Sequence, residues 1–252
     1  MGVRAAIVLT ALVAVVGGVV SANAMPPVTI GEPLSTGFHF DLTPSKLPRT
    51  KSAPVRLSVA GSNKTDDGSH VPALREVELK LDRHFSFDLT GVPVCANGSQ
   101  LSIRPNEIEK RCADAAVASG RVTVEVAFPE QPLTTVTGPL TVYNRGRKAG
   151  GFNLISWVYF PAPVTGGIYL PIQVRKAHIG RYGWRAKLEV PKIAGGSGSV
   201  IAYSMHFRKP IVSASCGGEQ LQIGTTSTFV DGAEWSATAI HTCSVAEADA
   251  RK

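Results

Sequence analysis

Apolar and polar residues alternate along most of the chain. Val55-Arg56-Leu57-Ser58-Val59 has a period of two, as do Val77-Glu78-Leu79-Lys80-Leu81 and Phe85-Ser86-Phe87-Asp88-Leu89. That period sends successive side chains to opposite faces of a strand, one buried and one wet. The same reading predicts strands over 121–128, 140–143, 153–160, 168–174, 184–190, 200–207 and 234–240. Phe38–Thr43 resembles Phe85–Thr90 and reads as a second strand of the same kind, not as a repeat. Strands separated by Gly, Pro and Asn turns at a spacing of about ten residues predict an all-β fold, a β-sandwich-like antiparallel architecture. Residues 61–68 and 195–199 read as loops by composition. Only Asn106–Ala118 favours helix, through Glu107, Glu109, Lys110 and its alanines, so one short helix is expected near 106–118.

The first 24 residues stand apart from this pattern. Arg4 precedes an apolar run from Ala5 to Val20, and Ala22-Asn23-Ala24 gives the small-x-small pattern of a cleavage site. The run is shorter than the roughly 20 residues a spanning helix needs. Residues 1–24 are therefore expected to be a secretory signal peptide. A β domain is expected over 25–245, as one unit or as two β subdomains split near 146, where Asn144–Gly151 is polar and glycine-rich. Residues 246–252 lack an apolar period and read as a flexible tail.

Composition narrows the class. Of 252 residues 44% are hydrophobic, which is too many for a disordered chain. The 25 glycines have no three-residue period, which excludes a collagen-like chain.

The chain has four cysteines, Cys95, Cys112, Cys216 and Cys243. An even count in an exported chain favours disulfides. Of the three possible connectivities the local one is expected, Cys95–Cys112 with Cys216–Cys243, each pair inside one half of the chain. No CxxC spacing is present, so neither a zinc site nor a redox-active pair is expected.

Candidate chemistry is sparse. No G-x-S-x-G elbow and no HExxH motif occurs, and Ser197 and Ser199 lie in the predicted glycine loop. A Ser-His-acid site assembled across strands would leave no trace in the sequence. Asp66-Asp67 reads as a solvated turn, and no metal or other cofactor is expected. Trp157 and Tyr159 share a strand face and are expected to pack in the core. Asn63-Lys64-Thr65 and Asn97-Gly98-Ser99 fit the glycosylation pattern.

The net charge is +7, from 26 basic and 19 acidic residues. Arg175, Lys176, Arg181 and Arg185 fall on one predicted hairpin around Gly180, with His178 and Lys187 beside them. Such a patch would hold an anionic cell-envelope polymer or lipid headgroups by long-range attraction. The structural alternative is a solvated hairpin whose charges protect a strand edge. Nucleic acid is not an expected partner of an exported chain without a binding module.

Several short segments also read together: Thr43–Arg49, Ala53-Pro54-Val55, Gly68-Ser69-His70, Pro72–Glu76, Gly91–Cys95, Cys112, Cys216, Phe229-Val230-Asp231-Gly232 and Cys243. The set resembles a group of secreted proteins of soil actinobacteria with no assigned activity. The resemblance implies an exported, β-rich protein with two disulfides and carries over no functional residue. The functional expectation is a secreted or envelope-associated, non-enzymatic protein that binds an anionic envelope component through the basic hairpin. The alternative is an extracellular hydrolase.

Overall fold

The computed structural model describes residues 34–96, 105–161, 165–207, 211–218 and 220–245. The expected signal peptide, the expected tail at 246–252 and the Asn97 sequon lie outside them. The fold is all-β. Eleven antiparallel strands form the body: β1 (Leu34–Thr43), β3 (Ala53–Thr65), β4 (Leu74–Asp82), β6 (Ala116–Val126), β7 (Thr134–Lys148), β8 (Gly151–Phe160), β9 (Gly166–Ile179), β10 (Tyr182–Glu189), β11 (Gly198–Phe207), β13 (Gln220–Phe229) and β14 (Glu234–Thr242). Short strands β5 (Phe85–Phe87) and β12 (Val212–Ala214) extend the same sheet beside β3. Two-residue strands β2 (Lys46–Leu47) and β15 (Ser244–Val245) form a separate parallel pair.

The sheet runs β14-β13-β4-β10-β9-β8-β7-β6-β11-β3, and β1 pairs with β3. It curls until β1 and β14 lie side by side, with the rings of Phe40 and His241 6.1 Å apart across the seam. The seam has no backbone ladder among the described residues. The body is thus a barrel closed by side chains along one line. Residue 146 lies inside β7, and strands from both sides of it alternate around this one sheet.

Alternation explains which face each strand buries. On β8 the inward row is Phe152, Leu154, Ser156, Val158 and Phe160. Its outward residues Ile155 and Trp157 are buried too, in a cluster with Ile108 of α1 (Pro105–Cys112), Ala115 just after it and Tyr143 of β7. The disulfide Cys95–Cys112 pins that helix, and Cys216–Cys243 ties the chain after β12 to the end of β14. The expected cysteine pairing is the observed one.

Three local expectations are corrected. The helix ends at Cys112, followed by a 3-10 turn over Ala113–Ala115, and Ala116 opens β6. Ala116 and the buried Ala118 pair with Tyr143 and Val142 of β7, with the buried Val117 at a bulge between them, so pairing overrides alanine's helix preference. Residues 61–65 are strand, not loop. Gly61 faces Tyr203 across the β3–β11 ladder, and a Cβ there would lie 2.5 Å from the Tyr203 ring. Asn63 is buried, accepts from the Thr36 hydroxyl at 2.8 Å and donates to the Val200 carbonyl at 2.9 Å, which also removes it as a glycosylation acceptor. Gly198 and Ser199 likewise belong to β11.

Candidate functional site

The predicted hairpin exists as β9 and β10, turning at Gly180-Arg181, but its cations are engaged by the protein itself. Arg175 donates to the carbonyls of Phe152 (2.7 Å) and Val174 (2.8 Å) and to Asn153 Oδ1 (2.7 Å). Arg181 places Nε and Nη2 at 2.9 and 2.7 Å from Asp82 Oδ2, and Nη2 also donates to the Gln220 carbonyl. The Asp82 side chain is 1% exposed, and His84 approaches its other oxygen at 2.8 Å. Arg185 lies 3.7 Å from Glu78, and Lys187 lies 2.8 Å from Glu76 on the adjoining β4. Lys176 sits 5.9 Å above the Trp184 ring. Carboxylates of β4 therefore interleave with these cations. Arg175 and Arg185 face each other across the β9–β10 ladder, Lys176 lies opposite Trp184, and Arg181 sits at the turn.

A Ser-His-acid arrangement does occur. Ser199 Oγ is 3.2 Å from His70 Nε2, and His70 Nδ1 is 2.8 Å from Glu125 Oε1. Ser199 and Glu125 are cross-strand neighbours on β11 and β6, and the segment between β3 and β4 brings His70 over them. Sequence spacing gives no hint of this, since 129 positions separate the serine from the histidine. The geometry favours a tether over a nucleophile. Ser199 is fully buried, and its hydroxyl donates to the Val71 carbonyl. A hydroxyl has one proton, so that bond competes with activation by His70. Val71 N also donates to Glu125 at 3.4 Å, fastening the same segment.

The interior is chemically the most distinctive region. A cavity of about 130 Å³ lies inside the barrel, lined from β3–β11 and β13. Leu57, Leu140, Leu154, Leu170, Leu188 and Met205 represent its wall. Every lining side chain except those of Ser156 and Tyr203 is hydrocarbon or thioether. Leu79, Ile168, Ile172, Leu188 and Met205 point inward yet are only partly buried, as side chains bordering open space are.

The two polar groups in the wall behave differently. Burial pushes the Tyr203 phenol far above its ordinary pKa, so it stays neutral. Ser156 is 2% exposed, and its Oγ has no hydrogen-bond partner. Trp184 adjoins the cavity, its ring against Phe87 and Phe152 and its indole N–H donating to the Phe85 carbonyl at 3.0 Å. Sequence alternation marks these inward positions as apolar but carries no sign that they fail to fill the space.

Trp157 and Tyr159 stack at 5.9 Å, and Trp157 is buried on the outer face of β8. Asp67 accepts the Ser69 amide at 2.9 Å, closing the acidic turn on itself. Among the described residues no helix is long and apolar enough to cross a membrane, and no group of His, Cys, Asp and Glu is placed to hold a metal. No protein-family model matches the chain, and no curated protein matches it.

Proposed function

We propose that this protein is an exported, non-catalytic carrier of a small, largely apolar molecule held inside the barrel. The carrying observation is the interior cavity of about 130 Å³ with an almost wholly hydrocarbon wall. Native interiors are packed as densely as organic crystals. A void of this size leaves its lining without dispersion partners, at a cost in stability. A ligand restores those contacts. An apolar cavity of about 150 Å³ stays dry and takes benzene, so the scale suits one ring or the end of a chain.

Export rests on the signal-like N-terminus and is consistent with the two disulfides, which persist in oxidising compartments. The hairpin reading has weaker support, because Arg175 and Arg181 are anchored to protein atoms and Arg185 lies beside Glu78. The hydrolase reading lacks an exposed nucleophile at Ser199.

Thermal unfolding of the disulfide-intact protein with saturating methylcyclohexane, toluene or cyclohexanone tests the proposal. Binding to the native state alone raises Tm, by about 2.7 kcal/mol of added stability at a hundredfold excess over Kd. Ala186 lines the cavity, so Ala186→Leu should occupy part of it and weaken the response. The absence of any shift with all three compounds would overturn the carrier reading.

A further inference from the structure

We infer that Ser156 makes the cavity selective for a hydrocarbon bearing one uncharged hydrogen-bonding oxygen, a ketone, ester or alcohol. This rests on the carrier reading and adds the chemical class of the ligand. Of the buried side-chain polar atoms without a partner among the described residues, Ser156 Oγ alone belongs to the cavity wall. It sits in the middle of the inward row of β8, between Leu154 and Val158, where every other member is apolar. Its cross-strand neighbours are Val142 on β7 and Leu170 on β9, and neither side chain offers a donor or acceptor. A buried hydroxyl without a partner is unfavourable, and an alanine would fill the position without that cost. The hydroxyl is turned away from the open space, and a rotation about its Cα–Cβ bond brings it to a ligand oxygen, which supplies the missing bond.

The rest of the wall sets the charge of that ligand. It contains no Lys, Arg or His to accompany an anion and no Asp or Glu to accompany a cation. An ionised headgroup drawn inside would be desolvated with no counter-charge. The serine hydroxyl donates to a carbonyl and either donates to or accepts from an alcohol, so it serves all three neutral classes.

Titration of the full disulfide-bonded protein with cyclohexanone and with methylcyclohexane separates this inference from the carrier reading. Intrinsic tryptophan fluorescence reports binding, because Trp184 packs against the wall residues Phe87 and Phe152. Ser156→Ala should weaken cyclohexanone about tenfold, the usual scale of one lost hydrogen bond, and leave methylcyclohexane within about twofold. Ser156→Thr keeps the hydroxyl and should retain most of the ketone affinity. Hexanoate at pH 7 should bind more weakly than cyclohexanone. Equal weakening of both ring compounds by Ser156→Ala, no weakening of the ketone, or hexanoate binding as tightly as the ketone would each overturn the inference. A wild-type protein that takes methylcyclohexane but not cyclohexanone would also overturn it, while leaving the carrier reading standing. If neither compound binds, both readings fall.

Discussion

At the scale of single residues, Asp82 shows how long-range pairing redefines a side chain. Its carboxylate is almost fully buried and accepts from Arg181, from the His84 amide and from the His84 ring. Asp82→Asn would leave the Arg181 guanidinium facing a neutral amide and remove the charge from each of these bonds. Losing one partner of a buried pair is costly, and here Arg181 is 37% exposed, so we expect about 2–3 kcal/mol, below the fully buried case. Urea unfolding measures it, and a loss under 1 kcal/mol would mean solvent replaces the partner. Arg181 reads from the sequence as a free surface cation because its partner lies 99 positions away. The chemistry of both residues was visible, and only their meeting was not. Tyr203 gives a second test. Its folded pKa lies above the unfolded value, so the folded state holds the proton more tightly. Its contribution is complete below about pH 10, the unfolded value, and falls as pH rises from there toward the folded pKa. Tyr203→Phe has nothing to ionise and should unfold at higher pH than wild type in an alkaline titration. Coincident curves would show that Tyr203 does not govern that limb.

At the scale of elements, alternation made β4, β9, β10 and β11 legible, since each has an apolar inward row and a wetter outward one. β13 was not legible. Its buried row includes Thr225 and Ser227, and the neighbouring Gly224 adds no side chain, so no apolar alternation marks the segment. Neighbouring β4 and β14 supply the ladder that makes it a strand. The helix was legible in kind but not in length, because the residues from Ala116 onward pair with β7. That helix also depends on its covalent tether. Its eight residues are too few to be stable alone. Replacing Cys95 and Cys112 together by serine frees a loop of 17 residues and should cost about 3 kcal/mol. The loss should be accompanied by a red shift in tryptophan emission as the cover over Trp157 loosens. A stability loss without that shift would place the effect in the unfolded chain alone. The seam is weaker than any ladder. In hydrogen exchange, the amides of β1 and β14 that face each other should exchange before those bonded to β3 and β13.

At the scale of the whole molecule, the strand order decides how many units unfold. A chain divided near residue 146 would place 34–145 and 147–245 in separate sheets. Instead β4 lies between β13 and β10, and β11 lies between β6 and β3, so each half fills positions inside the other's sheet. The polar run around Asn144–Gly151 suggested a boundary because a hairpin and a linker share one composition. Pairing tells them apart, since Lys148 faces Gly151 across the β7–β8 turn. The buried apolar residues form one principal cluster that includes Leu57, Val77, Leu154, Ile223 and Trp235. Neither half can keep its share of that cluster dry without the other. With disulfides intact, equilibrium urea unfolding should therefore be one cooperative transition. Far-UV circular dichroism follows the whole sheet. Tryptophan emission follows Trp157, Trp184 and Trp235, which lie on β8, β10 and β14. The two curves should coincide. A ligand in the cavity touches strands from both halves and should shift the coincident curves together. Two resolved transitions, or a ligand that moves only one of them, would restore a boundary near 146 despite the shared sheet.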